Sequence, residues 1–307
     1  MKIKAPAKLN LFLEIRGKRK DGYHNLATLM QPVGLCDEIE ISVARKPAYK
    51  PALKNGINFE CTWPENLMHG EPKPPKEKNL AYRAAVRIAE LSGKKTGIRI
   101  RVAKNIPAGS GMGGGSSDAA AVIKGLCKML RFNAGARKIQ KIASELGADV
   151  PFFLHNGCCL AEGIGEKITG ARALWEKKPL WLVLVHPPFQ SSTSGAYGRW
   201  DLYGSAKKDT GDMANRMVIR KIKKRTPIST GDIVFINDLE RAVAAVHPEI
   251  DRIKKALDAA GAFASLMTGS GSAVFGIFTK RDGAISAGAS LKKIFKPPYT
   301  ILVIKTL

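Results

Sequence analysis

The residue pattern that most directly suggests chemistry is the glycine-rich run Pro107 to Ser117. Here Gly109, Gly111, Gly113, Gly114 and Gly115 leave the backbone bare between Ala108, Ser110, Met112 and Ser116. Glycine reaches dihedrals that other residues avoid, so backbone N–H groups become the contact surface. The run follows an alternating segment, Ile98, Ile100 and Val102, and precedes an alanine-rich, helix-prone segment, Ala119 to Leu130. Strand, bare loop and helix in that order predict a phosphate site, because a helix N-terminus offers unpaired N–H groups and a positive dipole end. A flexible linker seldom sits tightly between two strong elements. The loop lacks the Lys-Ser/Thr that closes a Walker P-loop. Gly109, Gly111 and Gly114 satisfy G-x-G-x-x-G, but helical pattern continues to Leu146, where a dinucleotide fold would place a strand ending in an acidic residue.

Other candidates are single residues. Ala7, Leu9, Leu11, Leu13 and Ile15 alternate with Lys8, Asn10, Phe12 and Glu14, predicting a strand that presents Lys8 and Asn10 on one face. Asp149 stands just ahead of a short apolar segment. His155, Cys158 and Cys159 make an incomplete tetrahedral set for zinc and read better as buried or inert thiols.

These residues need a scaffold, and the composition supplies one. The 307 residues suffice for about two domains with a sizeable core. Apolar residues make up 45% and charged residues 25%, a folded profile. A net charge of +24 points to phosphates without saying whose. The five cysteines, an odd number with no C-x-x-C pair, argue against a disulfide framework or zinc ribbon and fit a reducing cytoplasm. No signal-peptide core and no apolar run of about 20 residues is present, so no membrane anchor is expected.

The alternation at Glu38 to Val43 predicts a second strand, with Arg16 to His24 as the hairpin or loop between. Arg45 to Lys78 reads as a surface excursion with little regular structure. Leu80, Ala84, Ile88 and Leu91 predict a helix capped by Asn79 and stopped at Gly93. A further helix is expected over Ala136 to Leu146. The second half reads as a strand at Leu180 to Val185 and a polar basic stretch at Gly198 to Asp232. Helices follow around Asp238 to Val246 and Pro248 to Ala260. Two strands then flank Thr268 to Ser272, before a helix at Ala284 to Ile294 and a last strand at Tyr299 to Lys305. That order is of the β-α-β-β-α-β type, and a domain boundary is expected near residue 160.

Four blocks carry a family resemblance: P-A-K-L-N-L (Pro6 to Leu11), D-G-Y-H (Asp21 to His24), P-A-G-S-G-M-G-G-G-S-S-D (Pro107 to Asp118) and G-A-D-V-P-F-F (Gly147 to Phe153). S-T-S-G-A-Y (Ser192 to Tyr197), N-D-L-E (Asn237 to Glu240) and T-G-S-G (Thr268 to Gly271) follow in the same order. The sequence resembles the GHMP kinase superfamily. The glycine loop specifies the superfamily alone; D-G-Y-H with the first and fourth blocks points to the branch acting on a cytidine-diphosphate-linked methylerythritol in isoprenoid synthesis.

The resemblance implies an α+β, two-domain fold. Residues 1–160 would form an N-terminal domain like domain 2 of ribosomal protein S5. Residues 161–307 would form a ferredoxin-like C-terminal domain, with the active site in the cleft between. It implies ATP as cosubstrate, with Mg²⁺, bound along Pro107 to Ser117 and by Asn79 and Lys104. Asp149 would receive the acceptor hydroxyl proton and Lys8 would be its cationic partner. The cytidine end would meet Tyr23, His24 and Tyr197, while Asn10, Thr268 and Gly269 would line the rest of the acceptor site. Another GHMP kinase with a mevalonate- or homoserine-type acceptor is the alternative within the superfamily. The basic stretch Asn215 to Arg225 leaves open a nucleic-acid patch, against a solvated helix face.

Overall fold

The computed structural model of the chain describes residues 1–44, 56–64, 67, 74–94, 96–203 and 214–307. The excursion expected at 45–78 and the basic stretch at 198–232 therefore lie partly outside the described residues. The chain forms two compact units that interleave along the sequence. One comprises Met1–Ala7, Leu35–Ile106 and Gly113–Asn156; the other comprises Lys8–Gly34, Pro107–Met112 and Gly157–Leu307.

The first unit rests on two long strands that begin in one unit and end in the other, β1 (Lys2–Lys18) and β2 (His24–Ala44). Within this unit the end of β2 pairs antiparallel with β4 (Gly97–Ala103), from Glu38 opposite Ala103 to Ala44 opposite Gly97. Strand β3 (Ile57–Thr62) adds to β4 in parallel. This strand corrects the expectation of little regular structure at 45–78. Ile57, Phe59 and Cys61 do alternate with Asn58, Glu60 and Thr62, a period too short to stand out beside the surrounding prolines.

Among the described residues four α-helices complete the unit: α1 (Leu80–Ser92), α2 (Gly114–Met129), α3 (Ala136–Leu146) and α4 (Val150–Leu154). Helix α1 starts as expected, Asn79 accepting from the Ala81 N–H at 2.9 Å, and stops at Gly93 with φ 63°. Helix α2 begins five residues earlier than the alanine pattern suggests, inside the glycine run, with Gly113 (φ 70°) at its N-cap. It lies tightly on the strands. A Cβ at Gly125 would sit 2.6 Å from Ile41 and 2.7 Å from Ile3, so only glycine fits.

In the second unit the start of β2 pairs antiparallel with β5 (Cys159–Gly163), which pairs with β6 (Lys167–Gly170). A separate sheet runs in the order β10-β7-β9-β8, all neighbours antiparallel: β7 (Trp181–His186), β8 (Ala264–Met267), β9 (Val274–Phe278) and β10 (Thr300–Lys305). With α8 (Glu249–Ala259) between β7 and β8 and α9 (Arg281–Ile294) before β10, this is the ferredoxin-like arrangement expected. Its core joins Val183, Val185 and Val274 to Ile250, Ile253 and Leu257 of α8 and Ala287 and Leu291 of α9. Helix α7 (Glu240–Ala244) adds Val243.

The polar basic stretch at 198–232 contains more structure than expected. Helix α5 (Thr193–Tyr203) runs into it, and α6 (Arg216–Lys223) buries Val218, Ile219 and Ile222. On α6, Lys221 pairs with Asp232, and Lys223 pairs with Glu162 at 2.9 Å. The basic run is thus a helix with an apolar inner side, which its lysines and arginines mask in the sequence.

A second correction concerns β1. Alternation assigns Phe12 to the same polar face as Lys8, Asn10 and Glu14, yet every residue from Ala7 to Glu14 is buried. Both faces of the strand are covered, so Lys8 and Asn10 are interior polar groups that need partners. Phe12→Ala should cost about 3–5 kcal/mol of unfolding free energy, read as a lower urea midpoint; an unchanged midpoint would show that this face is not packed.

Candidate active site

In the second unit the first half of the glycine loop is fastened by its backbone. The Lys8 N–H donates to Met112 O at 3.0 Å, the Ala273 N–H to Ser110 O at 3.2 Å, and the Ser272 and Ser191 N–H groups to Gly109 O at 3.3 and 3.4 Å. The approach leaves no room for side chains. A Cβ at Gly111 (φ +77°) would lie 2.2 Å from Thr268 O, and one at Gly109 (φ +61°) would lie 2.6 Å from Gln190. Glycine is required here by both dihedral and space.

Lys8 is 3% exposed, and its Nζ donates to Asn10 Oδ1 at 2.6 Å. Asn10 is held in turn. Its Oδ1 also accepts from the Thr268 hydroxyl at 3.2 Å, its Nδ2 donates to Thr28 Oγ1 at 2.8 Å, and its N–H donates to Thr268 Oγ1 at 3.1 Å. Thr28 Oγ1 donates to Phe12 O at 2.6 Å. The ammonium also lies against Gly269, where a Cβ would be 3.1 Å from Nζ. Lys8, Asn10, Thr268, Gly269 and the loop from Gly109 to Met112 therefore come together as expected. The Asn10 carboxamide is occupied in aiming Lys8, a task its sequence position does not announce. Asn237 fixes the adjoining turn, donating to Met267 O at 2.7 Å and Gly269 O at 2.8 Å and accepting from the Leu239 N–H at 3.0 Å.

The same unit holds an aromatic cluster. His24 stacks on Tyr197 at 5.0 Å, meets Trp200 edge-on at 5.4 Å and hydrogen-bonds Asp201 through Nε2 at 2.7 Å. Tyr23 is 60% exposed, so of the two expected tyrosines it offers the more open ring, while Tyr197 already packs on the imidazole. Trp200 and Asp201 escaped sequence reading. Had a helix been assigned at 193–203, their i+3 and i+4 spacing from Tyr197 would have placed them on its face.

In the first unit the rest of the loop opens α2. A Cβ on Gly115 would lie 3.8 Å from Leu80, and one on Gly147 would lie 3.8 Å from both Leu80 and the Ser116 hydroxyl. The start of α1 with Asn79, the loop at Gly115 and Ser116, and the turn leading to Asp149 are thus neighbours. Asp149 is half-buried at the N-cap position of α4, and its carboxylate does not cap that helix. Among the described residues Ser117 Oγ is buried with no hydrogen-bond partner. Asn79 spends its side-chain oxygen on the α1 cap.

Lys104 lies deeper than a nucleotide contact would suggest. It is 2% exposed, bonds Asp118 at 2.6 Å and Asp37, and faces the Trp63 ring at 5.1 Å. Asp37 Oδ1 also accepts from the N–H groups of Asn105 at 2.5 Å and Ile106 at 2.8 Å, just ahead of the glycine loop. Burial works against the Lys104 charge, but Asp118 and Asp37 outweigh it and raise its pKa. Burial pushes Asp118 up to about 7 although Lys104 pulls it down. Neither carboxylate partner was readable, because the pairs span 67 and 14 residues of sequence. Burial also raises the Cys159 thiol to about 12 and Cys158 well above its ordinary value, leaving both unreactive.

Residues 79–157 match the family model for the GHMP kinase N-terminal domain, and residues 218–296 match that for the GHMP kinase C-terminal domain. A protein of Geobacter sp. (strain M21) named 4-diphosphocytidyl-2-C-methyl-D-erythritol kinase is 41% identical over 295 residues, 95% of each chain. The chain belongs to this family of GHMP kinases. A relative of the same name from Caldanaerobacter subterraneus subsp. tengcongensis is 36% identical, covering 96% of this chain and 94% of its own. A crystal structure of 4-(cytidine 5'-diphospho)-2C-methyl-D-erythritol kinase superposes with a TM-score of 0.75 and 30% identity, covering 99% of both chains. The fold is shared with homoserine kinase from Cytophaga hutchinsonii, with a TM-score of 0.64 and 20% identity over 100% of this chain and 94% of the other. Such GHMP kinases are ATP-dependent small-molecule kinases, and the present chain is one of them.

Two outcomes follow from this geometry. Gly111→Ala combines a strained φ with a backbone overlap and should cost ~2 kcal/mol or more, read as a lower melting temperature, whereas Gly115→Ala, with only Leu80 at 3.8 Å, should leave it nearly unchanged. Equal effects would show that the loop is not pinned at Gly111. The folded-state pKa of Asp118 lies above its ordinary value of 3.8, so its contribution is present below about pH 4 and lost as pH rises toward about 7. Asp118→Asn should therefore gain stability relative to wild type between those limits; parallel urea midpoints across that range would rule this out.

Proposed function

We infer that this protein transfers the terminal phosphoryl group of ATP to the 2-hydroxyl of 4-diphosphocytidyl-2-C-methyl-D-erythritol. The products are ADP and the 2-phosphate, in the methylerythritol phosphate route to isoprenoid precursors. The observation that carries the reading is 41% identity, over 95% of both chains, to a kinase of that name. The side-chain clusters supply suitable chemistry. Pro107 to Ser117 offers bare backbone N–H groups and a helix N-terminus for the ATP phosphates, with Asn79 on the adenosine side and Lys104, enclosed by Asp37 and Asp118, supporting the chain that enters the loop. Lys8, aimed by Asn10, neutralises charge on the transferred group, and Asp149 takes the hydroxyl proton. Phosphoryl transfer asks mainly for alignment and charge neutralisation, so a strong base is not required.

Mg²⁺ would supply further neutralisation at the phosphates. Its usual habit is to keep waters and phosphate oxygens with one or two protein ligands. Among the described residues no group of three His, Cys, Asp or Glu could hold a metal, and the buried, unpartnered Ser117 hydroxyl suits that sparse requirement. Tyr23, His24 and Tyr197 would take the cytosine, with Thr268 and Gly269 beside the acceptor. In sequence, residues 1–160 and 161–307 serve as the two family domains. No described helix is long and apolar enough to cross a membrane, and the five free thiols fit the cytoplasm. The basic stretch, folded as α6 with its inner side buried, needs no nucleic acid to account for it.

Phosphorus NMR of the protein with Mg-ATP and the cytidine substrate should show a new phosphomonoester signal, absent with mevalonate or homoserine. A signal with either of those acceptors alone would transfer the chain to another branch of the family. Asp149→Asn should lower kcat about a hundredfold or more while ATP affinity, measured by calorimetry, is retained.

A further inference from the structure

The His24 imidazole is gripped from one side of a single helix. Tyr197, Trp200 and Asp201 lie at i, i+3 and i+4 on α5 and so share a face. Tyr197 stacks on the imidazole at 24° between planes, Trp200 meets its edge at 86°, and the side chain is 6% exposed. Asp201 completes the grip. Its Oδ1 lies 2.7 Å from His24 Nε2, and its Oδ2 accepts from Lys18 Nζ at 2.6 Å. Among the described residues Asp201 is the ring's only hydrogen-bond partner.

The chemistry of this chain of contacts is directional. An ammonium can only donate, and the bonds from Lys18 and His24 hold the Asp201 carboxyl below its ordinary range, so it is ionised and can only accept. His24 Nε2 must therefore carry the hydrogen. In the neutral ring this leaves the lone pair on Nδ1, since one ring nitrogen donates and the other accepts. Cytosine presents an amino donor at position 4, where uracil presents a carbonyl oxygen. A lone pair welcomes the first and repels the second. We propose that Asp201 makes the base site select a cytosine over a uracil nucleotide, by holding His24 with its hydrogen on Nε2 and its lone pair on Nδ1. Asp201 is a positioning residue, acting through His24, and the proposal rests on the reading that His24 meets the base.

Asp201→Asn gives an opposite, checkable arrangement. The carboxamide has one oxygen, which Lys18 claims; its NH₂ then faces Nε2, which must become the acceptor, and the ring hydrogen moves to Nδ1. Asp201→Ala releases the ring without reversing it. The experiment has two arms at pH 8, where an ordinary imidazole is neutral. In the first, ¹⁵N-histidine spectra of the ligand-free protein identify the His24 tautomer, its signal assigned by loss in His24→Gln. Wild type should show Nε2–H and Asp201→Asn should show Nδ1–H. In the second, kcat/KM is compared for the cytidine substrate and its uridine counterpart. Their ratio should fall about tenfold or more in Asp201→Asn and by less in Asp201→Ala, both variants keeping a cooperative thermal transition because Asp201 is partly exposed.

A ratio unchanged from wild type, with activity on both substrates lowered alike, would assign Asp201 a merely structural part and overturn the proposal. So would an Nδ1–H imidazole in wild type. If wild type turns over neither nucleotide, the functional reading itself fails and takes the proposal with it, a result told apart by the normal Nε2–H spectrum.

Discussion

The Lys8 cluster of the second unit depends on one close backbone approach, the passage of Gly109 to Met112 against the turn from Thr268 to Ala273. Four main-chain hydrogen bonds hold that stretch, and the carbonyl of Thr268 occupies the space a side chain at Gly111 would need. A loop fixed by its own carbonyls keeps its form without relying on side chains. Its N–H groups are ordered by the fold itself, so that ordering entropy is met during folding. The bond from the Lys8 N–H to Met112 O ties the same loop to β1, so the lysine and the phosphate loop share one anchor.

A buried ammonium is costly unless fully engaged. At Lys8 the cost is met by Asn10, which is itself held by Thr28 and Thr268, a relay through three strand and turn residues. Lys104 is a second buried lysine. Two carboxylates surround it, and burial drives one of them, Asp118, up to about 7 although Lys104 pulls it down. That triad grips the chain just ahead of the glycine loop through Asp37 and the N–H groups of Asn105 and Ile106.

The chain shows how far periodicity carries. The Asn79 cap, the Gly93 stop, the helix at 136–146 and the four strands and two helices of the ferredoxin-like arrangement were legible because they carry an apolar period or a clear start or stop signal. Strand β3 and helices α5 and α6 were not. Their apolar positions are few and lie among prolines, lysines or arginines, and they are stabilised by what packs on them rather than by local propensity. Phe12 failed for a different reason: alternation assumes one wet face, and β1 has none over Ala7 to Glu14.

By itself the sequence determined the glycine loop, the order of most elements around it and the residue types available for chemistry, because bare glycines, caps and apolar periods are local properties. It also determined the family, since motif order needs no coordinates. Only the tertiary structure decided what each polar residue does. Asn10 holds a lysine, Lys104 is enclosed by Asp37 and Asp118, and His24 is oriented by a carboxylate 177 residues away. Such pairings follow from which groups are deprived of water together, and that is settled by the packing of distant segments rather than by spacing along the chain.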